Sequence, residues 1–136
     1  MKVVFACVHG AGRSQMAAAF FSQLANPTMA MAVAAGTEPA SQVHPEVVAV
    51  MNECGVDLSQ VQPQILDDEV ASGASMVITM GCGEKCPTVP GARRADWELL
   101  DPQGRAPREV RMIRDDIRRR VSELLQREGW GRSTSN

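Results

Sequence analysis

Lys2-Val-Val-Phe-Ala6, then Cys7-Val8-His9-Gly10-Ala11-Gly12-Arg13-Ser14, then Gln15-Met-Ala-Ala-Ala-Phe20 is the stretch from which the architecture follows. The first part is a short apolar run rich in β-branched side chains, the middle is glycine-rich, and the last part is made of strong helix formers. The order is strand, loop, helix. Working outward, the helix is expected to run to about Asn26, where Pro27 stops it, and Met29 to Ala35 reads as a second buried strand closed by Gly36. Pro45 opens a second helix with Val47, Val50, Met51 and Cys54 spaced i, i+3, i+4, i+7, and Gly55 ends it as a left-handed cap, which puts Cys54 on the buried face. A short acidic helix is expected around Leu66 to Ala71, a third strand over Ser75 to Met80, and a weaker strand over Asp96 to Leu99. Pro107 to Glu128 carries Val110, Ile113, Ile117, Val121, Leu124 and Leu125 on one stripe of a long last helix. Alternating strands and helices predict an α/β fold: one doubly wound domain, its parallel sheet covered by helices on both faces, with ligands bound beyond the carboxyl ends of the strands.

The chain has 136 residues, 44% of them hydrophobic, which is enough for one core. Residues 1–130 are read as that domain and 131–136 as a flexible tail. A net charge of -2 argues against a polyanion partner, so no nucleic acid is expected. The eight arginines from Arg108 to Arg132 share their stretch with Glu109, Asp115, Asp116, Glu123 and Glu128, the pattern of a solvated helix face. No run approaches the roughly 20 apolar residues of a membrane span, and no export signal is visible, so a cytoplasmic location is expected. In a reducing compartment the four cysteines, at 7, 54, 82 and 86, point to catalysis, metal binding or packing rather than to a static disulfide framework.

A cysteine, five residues and then Arg-Ser is the spacing that wraps a loop around a tetrahedral oxyanion. The amides of residues 8 to 14 converge on one point, and the helix N-terminus adds partial positive charge. Arg13 can give two parallel hydrogen bonds to a pair of oxyanion oxygens. The field that binds an anion also favours a thiolate, which makes Cys7 the candidate nucleophile. Ser14 is placed either to bond the Cys7 sulfur or to serve as an ordinary first-turn residue. His9 and His44 lack ligand spacing to one another and read as backbone-directed or exposed rings. Asp101 before Pro102 reads as a turn residue on local grounds.

The loop at 7 to 14 together with Asp101-Pro102 resembles the low-molecular-weight protein tyrosine phosphatase superfamily. Ala-Gly-Thr-Glu-Pro-Ala (35 to 40), Val-His-Pro-Glu-Val-Val (43 to 48) and Thr-Met-Gly-Cys-Gly-Glu-Lys-Cys-Pro (79 to 87) resemble more narrowly its arsenate reductase branch. The resemblance implies four parallel strands and arsenate, or a phosphate-like oxyanion, as ligand. It further implies Cys7 attacking arsenic, Asp101 as general acid, and a Cys7-Cys82 disulfide passed on as Cys82-Cys86 to a thioredoxin-type reductant, with mycothiol or glutathione systems as alternatives. No resident metal or cofactor is expected beyond that external thiol and an optional monovalent cation at the loop. Two positions depart from the family pattern: Gly10 stands where asparagine is common, and only three residues separate Cys82 from Cys86. Two rivals remain open at this level, a phosphomonoesterase that uses Cys7, Arg13 and Asp101 without a redox step, and a thiolate site for metal or arsenite.

Overall fold

The computed structural model describes residues 1–81 and 89–132. Four strands, β1 (Lys2–Cys7), β2 (Met31–Gly36), β3 (Met76–Thr79) and β4 (Arg93–Asp96), form a sheet in the order β2-β1-β3-β4. Every neighbouring pair is parallel. The helices are α1 (Arg13–Leu24), α2 (Pro45–Asn52), α3 (Asp68–Ala71) and α4 (Pro107–Glu128). Strand order reverses between β1 and β3, so the switch point of the sheet lies at their carboxyl ends, where Cys7 stands.

Because side chains alternate along β1, Val3, Phe5 and Cys7 join one core cluster and Val4 and Ala6 another. The coverage of the two faces is unequal. Apolar residues of α1, α2 and α4 pack with Phe5 and Ile78 on one face, while the other is closed by Leu66 and Val70, from α3 and its approach, with Ala74, Val89 and Ala92. Phe20 and Phe21 of α1 are fully buried, and Phe5 meets Phe21 edge-on at 6.0 Å between ring centres. Truncating such a ring to alanine costs about 3–5 kcal/mol. The ends of α2 and α4 are tied by Glu53, which Arg111 and Arg114 grip at 2.9 and 2.8 Å and hold down to about 2 in pKa by hydrogen bonding. That carboxylate is solvated, so the link adds little to stability.

Several boundaries differ from the sequence reading. The fourth strand lies at Arg93–Asp96, three residues before the expected Asp96 to Leu99, because it is an edge strand paired through its backbone with Arg93, Arg94 and Asp96 turned to solvent. The apolar Trp97 and Leu99 that suggested a strand instead pack on the core, Trp97 at 5.7 Å from the Phe5 ring. The second strand begins at Met31 because the Asn26 side chain accepts from Thr28 and its carbonyl from Met29 and Ala30, closing a turn. The third helix begins at Asp68, where Asp67 caps it by accepting from the Val70 amide at 2.9 Å. Cys54 lies past the end of α2 and is half-buried against the core rather than on its buried stripe. Gly131 and Arg132, read as tail, pair instead with the end of α1: Gly131 bridges Ala25 and the Arg132 amide donates to Leu24. Among the described residues no helix is long and apolar enough to cross a membrane.

Candidate active site

The site begins where β1 runs out. Between Cys7 and α1, each of six successive carbonyls accepts a hydrogen bond. Cys7 O accepts from Thr37 N at 3.2 Å, Val8 O from Glu38 N at 2.7 Å, His9 O from Ala40 N at 3.0 Å and Ala11 O from His44 N at 3.0 Å. Gly12 O accepts from Met16 N at 3.0 Å within the first turn of α1, and Gly10 O from the Gln15 side-chain amide at 2.8 Å. In a trans peptide the C=O and the following N–H point in opposite directions. Each clamped carbonyl therefore turns the N–H that follows it, those of residues 8 to 13, away from its hydrogen-bond partner. None of those six amides donates to an acceptor among the described residues. Buried backbone donors left unpaired by protein are rare, and a run of them is an anion cradle. At Gly12 no side chain caps α1, so the positive end of the helix opens onto the same point.

Cys7 is buried, and its Sγ lies 3.0 Å from the Ser14 Oγ, with either atom able to donate. The serine hydroxyl is therefore within hydrogen-bonding reach of the sulfur. Of the two readings open for Ser14, the structure selects the contact with Cys7. Arg13 is 8% exposed; its Nη1 donates to Leu99 O at 3.2 Å and its Nη2 lies 3.9 Å from Asp101 Oδ2. Asp101 also keeps its turn role, its Oδ1 accepting from the Gln103 amide at 3.0 Å. Its carboxylate is 44% exposed and sits at the rim, near the loop yet open to water. Cys82 and Cys86 lie outside the described residues. Gly81, which precedes Cys82 in the chain, lies against the Arg13 guanidinium so closely that a Cβ there would overlap Nη1.

Two glycines in this region have steric reasons. Gly10 takes a φ of +58°, the left-handed region, and a Cβ on it would stand 2.8 Å from Gly36 N. A Cβ on Gly36 would meet three loop backbone atoms at 2.5 to 2.8 Å. The loop rests directly on the end of β2.

His9 is backbone-directed as expected, its Nδ1 3.2 Å from Glu38 O. His44 is not an exposed ring: it is 7% exposed, stands edge-on to His9 at 5.9 Å and reaches over Gly12 beside Pro102. Burial holds its imidazole below the ordinary 6.5, with His9 and Arg13 adding to that effect and Glu46 and Asp101 opposing it. The sequence reading also passed over Gln15, Gly36 and Gly81 as functional positions. For Gln15 a signal existed in the sequence: it is a polar residue directly after Arg13-Ser14 and ahead of the apolar run Met16 to Phe20.

Residues 2–130 match the low molecular weight phosphotyrosine protein phosphatase family. The chain belongs to that family. Within it, a Halobacterium salinarum protein provisionally named an arsenate reductase is 39% identical over 128 residues, covering 91% of this chain and 90% of that protein. A Synechocystis protein named glutaredoxin arsenate reductase is 34% identical, covering 91% and 95%. The solved structure of a thioredoxin-dependent arsenate reductase from Corynebacterium glutamicum superposes with a TM-score of 0.79 at 40% identity, covering 93% of this chain. This chain spans 60% of the length of that Corynebacterium chain. In this chain the loop that follows Cys7 stands at the end of the first strand, at the switch point of the sheet.

Proposed function

We propose that this chain is an arsenate reductase in which Cys7 is the nucleophile and a Cys82-Cys86 dithiol supplies the electrons. The observation that carries the reading is the loop after Cys7: six clamped carbonyls whose following amides have no partner among the described residues, next to a buried sulfur with a serine hydroxyl at 3.0 Å and a buried guanidinium in the same stretch. The named relatives support the arsenate chemistry over simple phosphate-ester hydrolysis.

In the first step the Cys7 thiolate attacks arsenic of the bound oxyanion, a sulfur-arsenic bond forms, and one arsenate oxygen leaves as water with a proton from Asp101. The loop amides and Arg13 hold the remaining oxygens and offset the charge that builds on them. Cys82 thiolate then attacks the Cys7 sulfur. The sulfur-arsenic bond breaks with its electron pair staying on arsenic, which falls from the +5 to the +3 state and leaves as arsenite, while a Cys7-Cys82 disulfide remains. Attack by Cys86 on Cys82 releases Cys7 as thiolate and leaves Cys82-Cys86, which an external dithiol reduces. We take that dithiol to be thioredoxin in a reducing cytoplasm. No resident cofactor is needed, because both electrons come from thiols.

The test couples arsenate to NADPH oxidation through thioredoxin and its reductase, with glutaredoxin/glutathione and mycothiol systems in parallel. Arsenate-dependent oxidation in the thioredoxin arm is expected. A signal only in another arm replaces the reductant, and none in any arm overturns the reductase reading. Cys82→Ser and Cys86→Ser are expected to abolish multiple turnover yet keep slow hydrolysis of a small aryl phosphate; full reductase turnover in both variants overturns the relay.

A further inference from the structure

We infer that Gln15 is a positioning residue that holds the crown of the oxyanion loop in its binding orientation without touching the anion. This rests on the oxyanion reading above and concerns the loop in its own right. Five of the six loop carbonyls are held by backbone amides, which no substitution of a side chain removes. The Gly10 carbonyl is held by the Gln15 Nε2 at 2.8 Å. Its peptide plane is also the one that presents the Ala11 N–H to the cradle, so the two orientations are coupled. Rotating the carbonyl inward would withdraw a donor and set a negative dipole against the anion.

Gly10 is the loop residue least able to resist that rotation. It has no Cβ, takes φ +58° and carries no bracing side chain of its own, and a Cβ built there would stand 2.8 Å from Gly36 N. The brace has to come from elsewhere. Gln15 is 6% exposed, between the buried Ser14 and Met16 in the first turn of α1, where an amide is costly unless it is hydrogen-bonded. Its partner is the Gly10 carbonyl. The helix that supplies positive charge to the cradle thus also sets the geometry of the turn above it.

The experiment uses the full chain and inorganic phosphate as probe. In Gln15→Met, which keeps length and apolar packing but cannot donate, phosphate binding by titration calorimetry and the KM for arsenate are expected to weaken together by about tenfold, the usual worth of one hydrogen bond, with kcat far less affected. A purely structural role would instead lower the melting temperature and leave KM unchanged. In Gln15→Glu the deficit in phosphate binding relative to the parent is expected to be large at pH 8 and to close toward pH 5, as the protonated carboxyl regains a donor. In the labelled parent protein, the Gln15 side-chain amide is expected to resist hydrogen exchange, a reading that does not depend on any variant folding. Phosphate affinity of Gln15→Met within twofold of the parent, a pH-independent deficit in Gln15→Glu, or exchange at the rate of a free glutamine amide would each overturn the assignment. A parent chain that does not bind phosphate overturns the oxyanion reading instead, so the two failures are distinct.

Discussion

Gly36→Ala places a methyl group where the loop after Cys7 rests on the end of β2. The residue closes β2 and lies under the loop, and a Cβ built on it stands 2.5 Å from Gly10 N, 2.6 Å from His9 C and 2.8 Å from Val8 O. Ordinary contact begins at 3.4 Å, so the methyl falls short by 0.9, 0.8 and 0.6 Å. All three neighbours are backbone and cannot rotate aside. The strand cannot retreat either, since Gly36 N donates to Gln64 O and its carbonyl accepts from Leu66 N. The loop must therefore rise by most of an ångström and strain the bonds from Thr37, Glu38 and Ala40 that turn its carbonyls outward. Overpacking of this kind costs about 1–3 kcal/mol of stability, and a displacement near 1 Å at a reacting centre costs about 100-fold in rate. The expected result is a folded protein with a lowered melting temperature, phosphate affinity reduced by at least tenfold in calorimetry, and arsenate kcat/KM down by about 100-fold. Gly55→Ala serves as control: at φ +78° with nothing within 4 Å it carries only a backbone cost of about 1 kcal/mol, and phosphate binding is expected to stay intact. A Gly36→Ala protein that binds phosphate within twofold of the parent would refute the claim that the loop is seated on β2.

Gly81→Ala is expected to push the Arg13 guanidinium out of place, since its Cβ would overlap Nη1 and lie 3.1 Å from Cζ. Losing one charge-assisted hydrogen bond, about 1.5–3 kcal/mol, weakens phosphate binding by at least tenfold, and unchanged affinity would refute it. For pH dependence the sign follows from His44. Burial lowers its folded-state pKa below 6.5, so below pH 6.5 the unfolded chain takes up the proton first; its contribution to stability is complete above 6.5 and is lost as pH falls below it. Denaturant midpoints are expected to drop between pH 7.5 and 5.5, and to drop less in His44→Gln; equal drops in both proteins would remove His44 as the source.

Local sequence determined the pieces that depend on near neighbours. The strand, loop and helix through Cys7, Arg13 and Ser14, and the long helix from Pro107 to Glu128, are encoded by apolar period, proline and glycine within a few residues of where they act. Tertiary structure decided what depends on partners far along the chain. The cradle is shaped by donors from Thr37 to His44, 30 or so residues beyond the loop, and no spacing in the sequence states which amide meets which carbonyl. β4 took its position from pairing with β3 rather than from its own side chains, and Gly131 and Arg132 were drawn into the fold by the end of α1. The physical reason is common to these cases: backbone hydrogen bonds between distant segments carry no residue-type signature, whereas periodic burial does.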